Sequence, residues 1–118
     1  MESHKLVLPE HLNQFGYVFG GNMLKWVDEF AWIAASMGHP SCNFVTIAFD
    51  RVEFHKGVKE GTILKFIATE TKLGNTSVQY KINVCRGRSQ GENEEAVFTT
   101  QVTLVNIDES GKKTKLPD

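Results

Sequence analysis

The pattern of apolar and polar side chains between residues 22 and 37 predicts an amphipathic helix. At about 100° per residue, the apolar side chains fall in one wide arc. This arc contains Ile33, Trp26, Met37, Phe30, Met23, Ala34, Val27, Ala31, Leu24 and Ala35. Asp28 lies at its border, whereas Glu29 lies in the opposite, polar arc where water can solvate it. Gly38 and Pro40 end the helix, because glycine favours a C-terminal cap and proline cannot continue the hydrogen-bond ladder.

After this helix the apolar residues recur with a period close to two, which is typical of β-strands. Strands are predicted at residues 43 to 54, 62 to 70, 76 to 86 and 96 to 107, with a short first strand around Lys5 to Leu8. Residues 62 to 70 are apolar on both faces, as in a central or interface strand that its neighbours cover. We therefore expect an α+β fold in which one long helix packs against a five-stranded, mostly antiparallel sheet.

The strand at residues 43 to 54 changes the face on which its apolar side chains lie. Its inward-facing positions are expected at Val45, Ile47 and Phe49, and then at Val52 and Phe54. The inward face thus switches near Asp50 and Arg51. A bulge or a bend at these two residues is the simplest cause of the switch.

The composition is that of one compact domain over residues 1–118. The chain is 41% hydrophobic and 23% charged, which allows a modest core. A formal net charge of -1 argues against a nucleic-acid partner. No apolar run is long enough for a bilayer and the first residues do not resemble a signal peptide, so we expect a cytoplasmic protein without a membrane partner. The Lys-rich segment after Asp108 is expected to be loose.

Several common active-site motifs are missing from the sequence. There is no Gly-x-Ser-x-Gly elbow, and the glycines before the helix lack the Lys-Ser/Thr ending of a P-loop. His39 and Cys42 have no neighbours that complete four metal ligands, so no metal is expected. Cys42 and Cys85 are expected to be reduced. A nucleophile that pairs one of these cysteines with a histidine stays open, although an unpaired buried cysteine is the commoner arrangement.

The remaining candidates for chemistry are Asn13, Gly20, Gly21 and Asp28. The two glycines open the helix, where unpaired backbone N–H groups and the helix dipole stabilise an oxygen anion. Their lack of a Cβ atom lets a carbonyl group approach closely. Asn13 offers an amide donor, and Asp28, about two turns along the helix, offers a base or a nucleophile. From these residues alone, a capped helix with a buried, hydrogen-bonded aspartate stays open as a second interpretation.

The ordered residues around the helix also resemble those of a known family. The main string is His11-Leu-Asn13-Gln-Phe-Gly16-Tyr-Val-Phe19-Gly20-Gly21-Asn-Met-Leu24-Lys-Trp-Val-Asp28-Glu-Phe-Ala31. Matching segments follow at Val45-Thr46-Ile47, Phe54 to Gly61, Leu73 to Ser77 and Gly111 to Pro117. Together they resemble the hotdog-fold acyl-CoA thioesterases, in the branch of the YciA-like and cytosolic acyl-CoA hydrolases. Val27 departs from the family's usual methionine, and Glu29-Phe30 replaces smaller residues.

The resemblance implies an enzyme of fatty acid metabolism that hydrolyses an acyl-CoA thioester, with coenzyme A only as part of the substrate. It gives Asp28 the role of the catalytic acid, as general base or nucleophile, and makes Asn13 its polar partner near the thioester. Thr46 would be supplied to the site by the other subunit. The acyl chain would lie on apolar surface beside the helix. The residues expected to contact CoA are Gly74, Thr76, Ser77, Arg86 and Arg88.

We also expect at least a homodimer, and a homohexamer built as a trimer of dimers. One helix cannot cover both faces of a five-stranded sheet, sheet edges need pairing, and the family forms its active sites between subunits. Two other functions of the same fold stay open. A protein that only binds acyl-CoA would need no acid at Asp28. A hydratase or dehydratase typically has a histidine with its acid, and no histidine lies at a comparable point of this helix.

Overall fold

The computed structural model describes residues 1–87 and 94–117. Within these ranges the chain forms one α-helix, a short 3-10 helix and five β-strands. In chain order they are β1 (Glu2–Leu6), the 3-10 helix (Pro9–His11), α1 (Gly20–Gly38), β2 (Phe44–Phe54), β3 (Ile63–Leu73), β4 (Ser77–Arg86) and β5 (Glu95–Asn106). Neither of these helices has the length and apolar character needed to cross a membrane.

The strands form one sheet in the order β1-β3-β4-β5-β2, and every neighbouring pair is antiparallel. The predicted α+β architecture is therefore confirmed. Strand β3 is central, between β1 and β4, and one of its faces is buried through Leu64, Phe66 and Ala68, whereas Ile63 on the other face is 51% exposed. Strand β1 starts earlier than predicted. Its backbone pairs with β3 along its whole length, with Glu2 opposite Ile67 and Leu6 opposite Ile63. Hydrogen bonding to β3, rather than the local side-chain pattern, sets these bounds.

The core lies between one face of α1 and one face of the sheet. The helix contributes Met23, Val27, Phe30, Ala31, Ala34 and Ala35, and the largest fully buried sheet residues are Phe98, Leu64, Ile82 and Leu104. The buried face of the helix is narrower than the predicted arc. Ile33 and Met37 are 41% and 70% exposed, because the sheet covers the helix from one side only. These side chains leave apolar surface along the outer flank of α1.

Strand β2 contains one irregularity that the sequence predicted and one that it did not. The register against β5 shifts between Asp50 and Glu53, and Arg51 has a positive φ of 52°, so the bulge predicted there is confirmed. A second shift between Thr46 and Ala48 leaves Ile47 as an extra residue. The prediction that Val45 and Ile47 face inward is wrong, because the strand turns its other face to the helix before this bulge. Val45 and Ile47 are 39% and 51% exposed.

The segment after Asp108 is packed against the sheet, so the prediction of a loose tail is wrong. The Asp108 carboxylate accepts hydrogen bonds from Ser110 and from the backbone N–H of Lys112, which form a tight turn and lower its pKa. The chain then returns to the sheet, where the Leu116 N–H donates to the Asn75 carbonyl at 2.9 Å. The Leu116 side chain is only 7% exposed. Burial of this leucine explains why the lysines around it do not keep the tail in solvent.

Candidate active site

Helix α1 and strand β2 bring Asp28 and Thr46 together. The Thr46 hydroxyl donates to Oδ1 of Asp28 at 2.6 Å, and both side chains are half-buried. A short bond from a hydroxyl to a charged carboxylate is among the stronger hydrogen bonds in proteins. It fixes the orientation of the Asp28 carboxyl group at the border of the helix's apolar face. The two residues belong to the same chain, so the implied supply of Thr46 by another subunit is wrong for this contact.

The Asp28 and Thr46 pair opens onto a cavity of about 630 Å³ between the helix and the edge strand. Its other lining residues are Glu29, Trp32, Ile33, Phe44 and Val45. Glu29 is exposed to solvent, as the helical wheel predicted, and it lies at the rim of the cavity. Trp32 was not among the site residues predicted from the sequence. Its position four residues after Asp28, one turn along the same helix face, was the available signal.

Asn13 has a local structural role and is absent from the residues that line this cavity. Its side-chain oxygen accepts the backbone N–H groups of Phe15 at 2.9 Å and Tyr17 at 3.1 Å. These bonds close the loop that leads into α1, with Gly16 at a positive φ of 85°. The structure therefore does not bring Asn13 next to Asp28 within one chain.

Gly20 and Gly21 begin the helix as predicted, and Phe19 before them provides no side-chain cap. A Cβ atom on Gly20 would lie 3.2 Å from the ring of Phe54, whereas one on Gly21 would meet no atom within 4 Å. The backbone at the helix start is thus open on the Gly21 side. However, eight residues of helix place Asp28 about 12 Å further along the axis. The N–H groups of Gly20 and Gly21 and the carboxylate of the same chain cannot contact one carbonyl group.

The residues predicted to contact CoA fall into two separate places. Gly74 and Thr76 lie in the turn between β3 and β4, and Ser77 begins β4; a Cβ atom on Gly74 would lie 2.7 Å from the Ser77 hydroxyl. Arg86 ends β4, about 30 Å away at 3.3 Å per residue. Its Nε and Nη2 contact Glu95 at 2.9 Å, and Nη1 donates to the Gly57 carbonyl at 3.1 Å. The structure therefore does not bring the turn residues and Arg86 together within one chain, and Arg88 lies outside the described residues.

The cysteines show no sign of a nucleophilic site. Cys42 and Cys85 are both free. Burial raises the pKa of the Cys85 thiol, because the thiolate would be poorly solvated there, and the nearby Glu94 carboxylate adds to the effect. Of the histidines, His39 contacts Glu70 at 2.7 Å and His55 contacts Thr99 at 3.0 Å. Among residues 1–87 and 94–117, no three metal-ligating side chains lie together.

Residues 15–92 match the family model described as the thioesterase superfamily. The chain belongs to the thioesterase superfamily. An uncharacterized acyl-CoA thioester hydrolase of Zymomonas mobilis subsp. mobilis is 30% identical over 95% of this chain and 74% of its own length. This likeness supports the expected enzyme class, a thioester hydrolase. The chain spans only 18% to 74% of the lengths of the first curated members of the superfamily that it matches.

Solved structures of this thioesterase superfamily share the fold. An acyl-CoA hydrolase of Staphylococcus aureus, in complex with butyryl-CoA, CoA and CoA disulfide, has a TM-score of 0.89 at 27% identity, covering 99% of this chain and 71% of that one. A hexameric hotdog fold thioesterase of Campylobacter jejuni has a TM-score of 0.85 at 31% identity, covering 98% and 88%. The expected hotdog fold is thus confirmed. The S. aureus enzyme has also been solved with alanine in place of an aspartate, an asparagine or a threonine.

Proposed function

We propose that this protein hydrolyses acyl-CoA thioesters to a free acid and CoA. The observation that carries the proposal is the 2.6 Å hydrogen bond between Thr46 and Asp28 beside a largely apolar cavity. A half-buried carboxylate beside a concave apolar surface is a common arrangement in enzyme active sites. The three residues replaced in the S. aureus variants have the types of Asn13, Asp28 and Thr46 and follow the same order along the chain. This agreement supports the assignment of all three to one site.

In the proposed reaction, Thr46 holds Oδ1 of Asp28 and leaves Oδ2 for chemistry. As a general base, Oδ2 takes a proton from water while the water oxygen bonds to the thioester carbon. The resulting oxyanion then collapses and breaks the C–S bond. As a nucleophile, Oδ2 attacks the same carbon to give a mixed anhydride, which water hydrolyses. The leaving thiolate has a conjugate acid with a pKa of about 8.5, so either route proceeds without a strong general acid.

The oxyanion donors in this proposal come from the helix start of a second copy. The start of α1 and Asp28 of one chain lie about 12 Å apart along the helix axis, which is too far for one thioester carbonyl. A partner that places its Gly20 and Gly21 opposite Asp28 completes the site, and its Asn13 precedes that helix start. The exposed Ile47 on the edge strand β2 supplies apolar surface for such a contact.

We therefore propose at least a homodimer, and a hexamer like that of the C. jejuni relative. The turn that contains Gly74, Thr76 and Ser77 stays a proposed contact for the nucleotide end of CoA, through its N–H and hydroxyl groups. Arg86 is left out of this proposal, because Glu95 and Gly57 already bind its guanidinium group. The cytoplasmic location stays a prediction.

The test is a hydrolysis assay of the purified protein with acetyl-, butyryl-, octanoyl- and palmitoyl-CoA that reads the released thiol. Release that depends on Asp28 is the expected result. Calorimetric binding of acyl-CoA without thiol release would instead indicate a ligand-binding protein. Hydration of an enoyl-CoA, read by the loss of its ultraviolet absorbance, would indicate a hydratase. Either result would overturn the proposal.

A further inference from the structure

Trp32 lines the cavity that begins at Asp28. It lies one helical turn beyond Asp28, which is about 6 Å along the axis. Its indole N–H donates to the backbone carbonyl of Phe44 at 3.0 Å. This bond ties the large ring to the first residue of strand β2, so the ring bridges the gap between helix and sheet. The indole is therefore held in place although 47% of the residue's surface is exposed.

The walls between Asp28 and Trp32 are apolar. Ile33 lies on the helix side, and Val45 lies on the strand side, with Phe44 buried beneath them at 5% exposure. The polar members of the lining are Asp28 and Thr46, at the chemical end, and Glu29 at the exposed rim. A substrate whose thioester carbon lies at Asp28 thus has apolar surface directly beside it. Each CH₂ group that enters such a space favours binding by about fourfold.

Resting on the thioesterase function proposed above, in which the acyl group enters this cavity, we propose that Trp32 limits the length of the acyl chain that the cavity accepts. The ligand class is an apolar acyl chain attached to CoA. A chain that reaches the indole fills the apolar space, whereas a longer one must displace Trp32 and break its hydrogen bond to Phe44. Val45, on the opposite wall, sets the width of the same space.

The experiment measures kcat/KM for saturated acyl-CoAs from acetyl to palmitoyl, for the wild type and for Trp32→Ala, Trp32→Phe and Val45→Phe. In Trp32→Ala, the preferred acyl chain should be at least two carbons longer than in the wild type. The kcat/KM for this longer chain, divided by the kcat/KM for the chain that the wild type prefers, should rise by about 10-fold. Trp32→Phe, which loses the hydrogen bond but keeps a ring, should shift the preference less. Val45→Phe, at an exposed position that tolerates added volume, should shorten it. Met37→Ala is the matched control, because Met37 lies on the same helix but outside the cavity.

The outcomes separate this inference from the proposed function. If the wild type hydrolyses acyl-CoA but the Trp32 and Val45 variants keep its chain-length profile, the acyl site is wrong and the thioesterase assignment stands. If the wild type hydrolyses none of the acyl-CoAs, the proposed function itself fails, and the inference fails with it. A third outcome would also overturn the inference, namely that a second copy fills the cavity in place of the acyl chain. In that case light scattering would show that the Trp32→Ala variant dissociates, while the fraction that stays assembled would keep the wild-type chain-length profile.

Discussion

At the scale of single residues, two adjacent acids lie in different surroundings because a helix turns about 100° at each step. Asp28 is half-buried and accepts the Thr46 hydroxyl, whereas Glu29 is exposed at the cavity rim. The sequence placed both correctly, since helical periodicity is a local property. Substituting each acid in turn therefore separates the effect of the Asp28 carboxylate on turnover from the effect of any negative charge in the same part of the helix.

Asp28→Asn should lower kcat by about 10²- to 10⁴-fold, which is the usual contribution of a general base. The amide keeps the shape of the side chain, so binding of acyl-CoA measured by calorimetry should persist. Glu29→Gln removes an equal charge one residue away and should keep most of the turnover, as is usual for exposed positions. The catalytic assignment fails if both variants lose activity equally or if Asp28→Asn turns over at a near-normal rate.

Thr46→Val tests the hydrogen bond to Asp28. Valine keeps the branched shape but removes the hydroxyl, and a hydrogen bond to a charged group contributes about 1.5–3 kcal/mol. We expect kcat to fall by roughly 10- to 100-fold in the thiol-release assay, which corresponds to that range of energy. Thr46→Ser keeps the hydroxyl and is the matched control. Equal rates for the valine and serine variants would show that the bond does not contribute to turnover.

At the scale of elements, the returning tail stabilises the sheet through one buried side chain. Leu116→Ala should lower the free energy of unfolding by about 2–3 kcal/mol, because it deletes buried methyl groups and leaves a cavity. Chemical denaturation followed by circular dichroism measures the change. Lys115→Ala, at the exposed neighbouring position, should stay within about 0.5 kcal/mol of the wild type. A similar, small effect of both substitutions would mean that the tail is loose in solution.

A second element-scale prediction concerns the contact between strands β3 and β4 near the end of the helix. The Tyr80 hydroxyl donates to the Glu70 carboxylate at 3.3 Å, and burial together with the Glu70 charge raises its pKa from 10.0 to about 12. The neutral Tyr80 phenol thus makes its full contribution to the free energy of unfolding below pH 10, and this contribution is lost as the pH rises towards 12. Wild-type Tm should fall more between pH 9 and pH 11 than the Tm of Tyr80→Phe. Parallel falls in thermal melts would contradict the prediction.

At the scale of the whole molecule, the site is proposed to be complete only when two copies meet. Ile47→Lys places a charge on the exposed edge strand, so we expect a smaller particle in light scattering. Turnover should fall by about 10²-fold, because the oxyanion donors of the partner no longer face Asp28. The circular dichroism spectrum should not change, since Ile47 is 51% exposed in the single chain. Ile47→Val is the matched control, and a fully active monomer would refute the shared site.

The sequence by itself determined the elements whose signal is local. The 3.6-residue period defined the helix and put Asp28 at its border, and alternation defined the strands from residue 43 onward. The change of apolar parity near Asp50 also predicted the bulge at Arg51, because a face switch leaves a direct trace in the side-chain order. The ordered residues around the helix then resembled those of the family.

Only the tertiary structure decided which residues meet across the chain. Val45 and Ile47 face outward because a bulge at Ile47 shifts the register of β2 against β5. Apolar residues occur both before and after the bulge, so the order of apolar and polar residues does not reveal the shift. Strand pairing likewise placed Glu95 opposite Arg86, where it binds the guanidinium group, and burial of Leu116 fixed a tail that the sequence predicted to be loose. The pairing of Thr46 with Asp28 depends on how β2 lies against the helix. Local periodicity specifies the face on which a side chain lies, whereas non-local packing specifies the partner that it contacts.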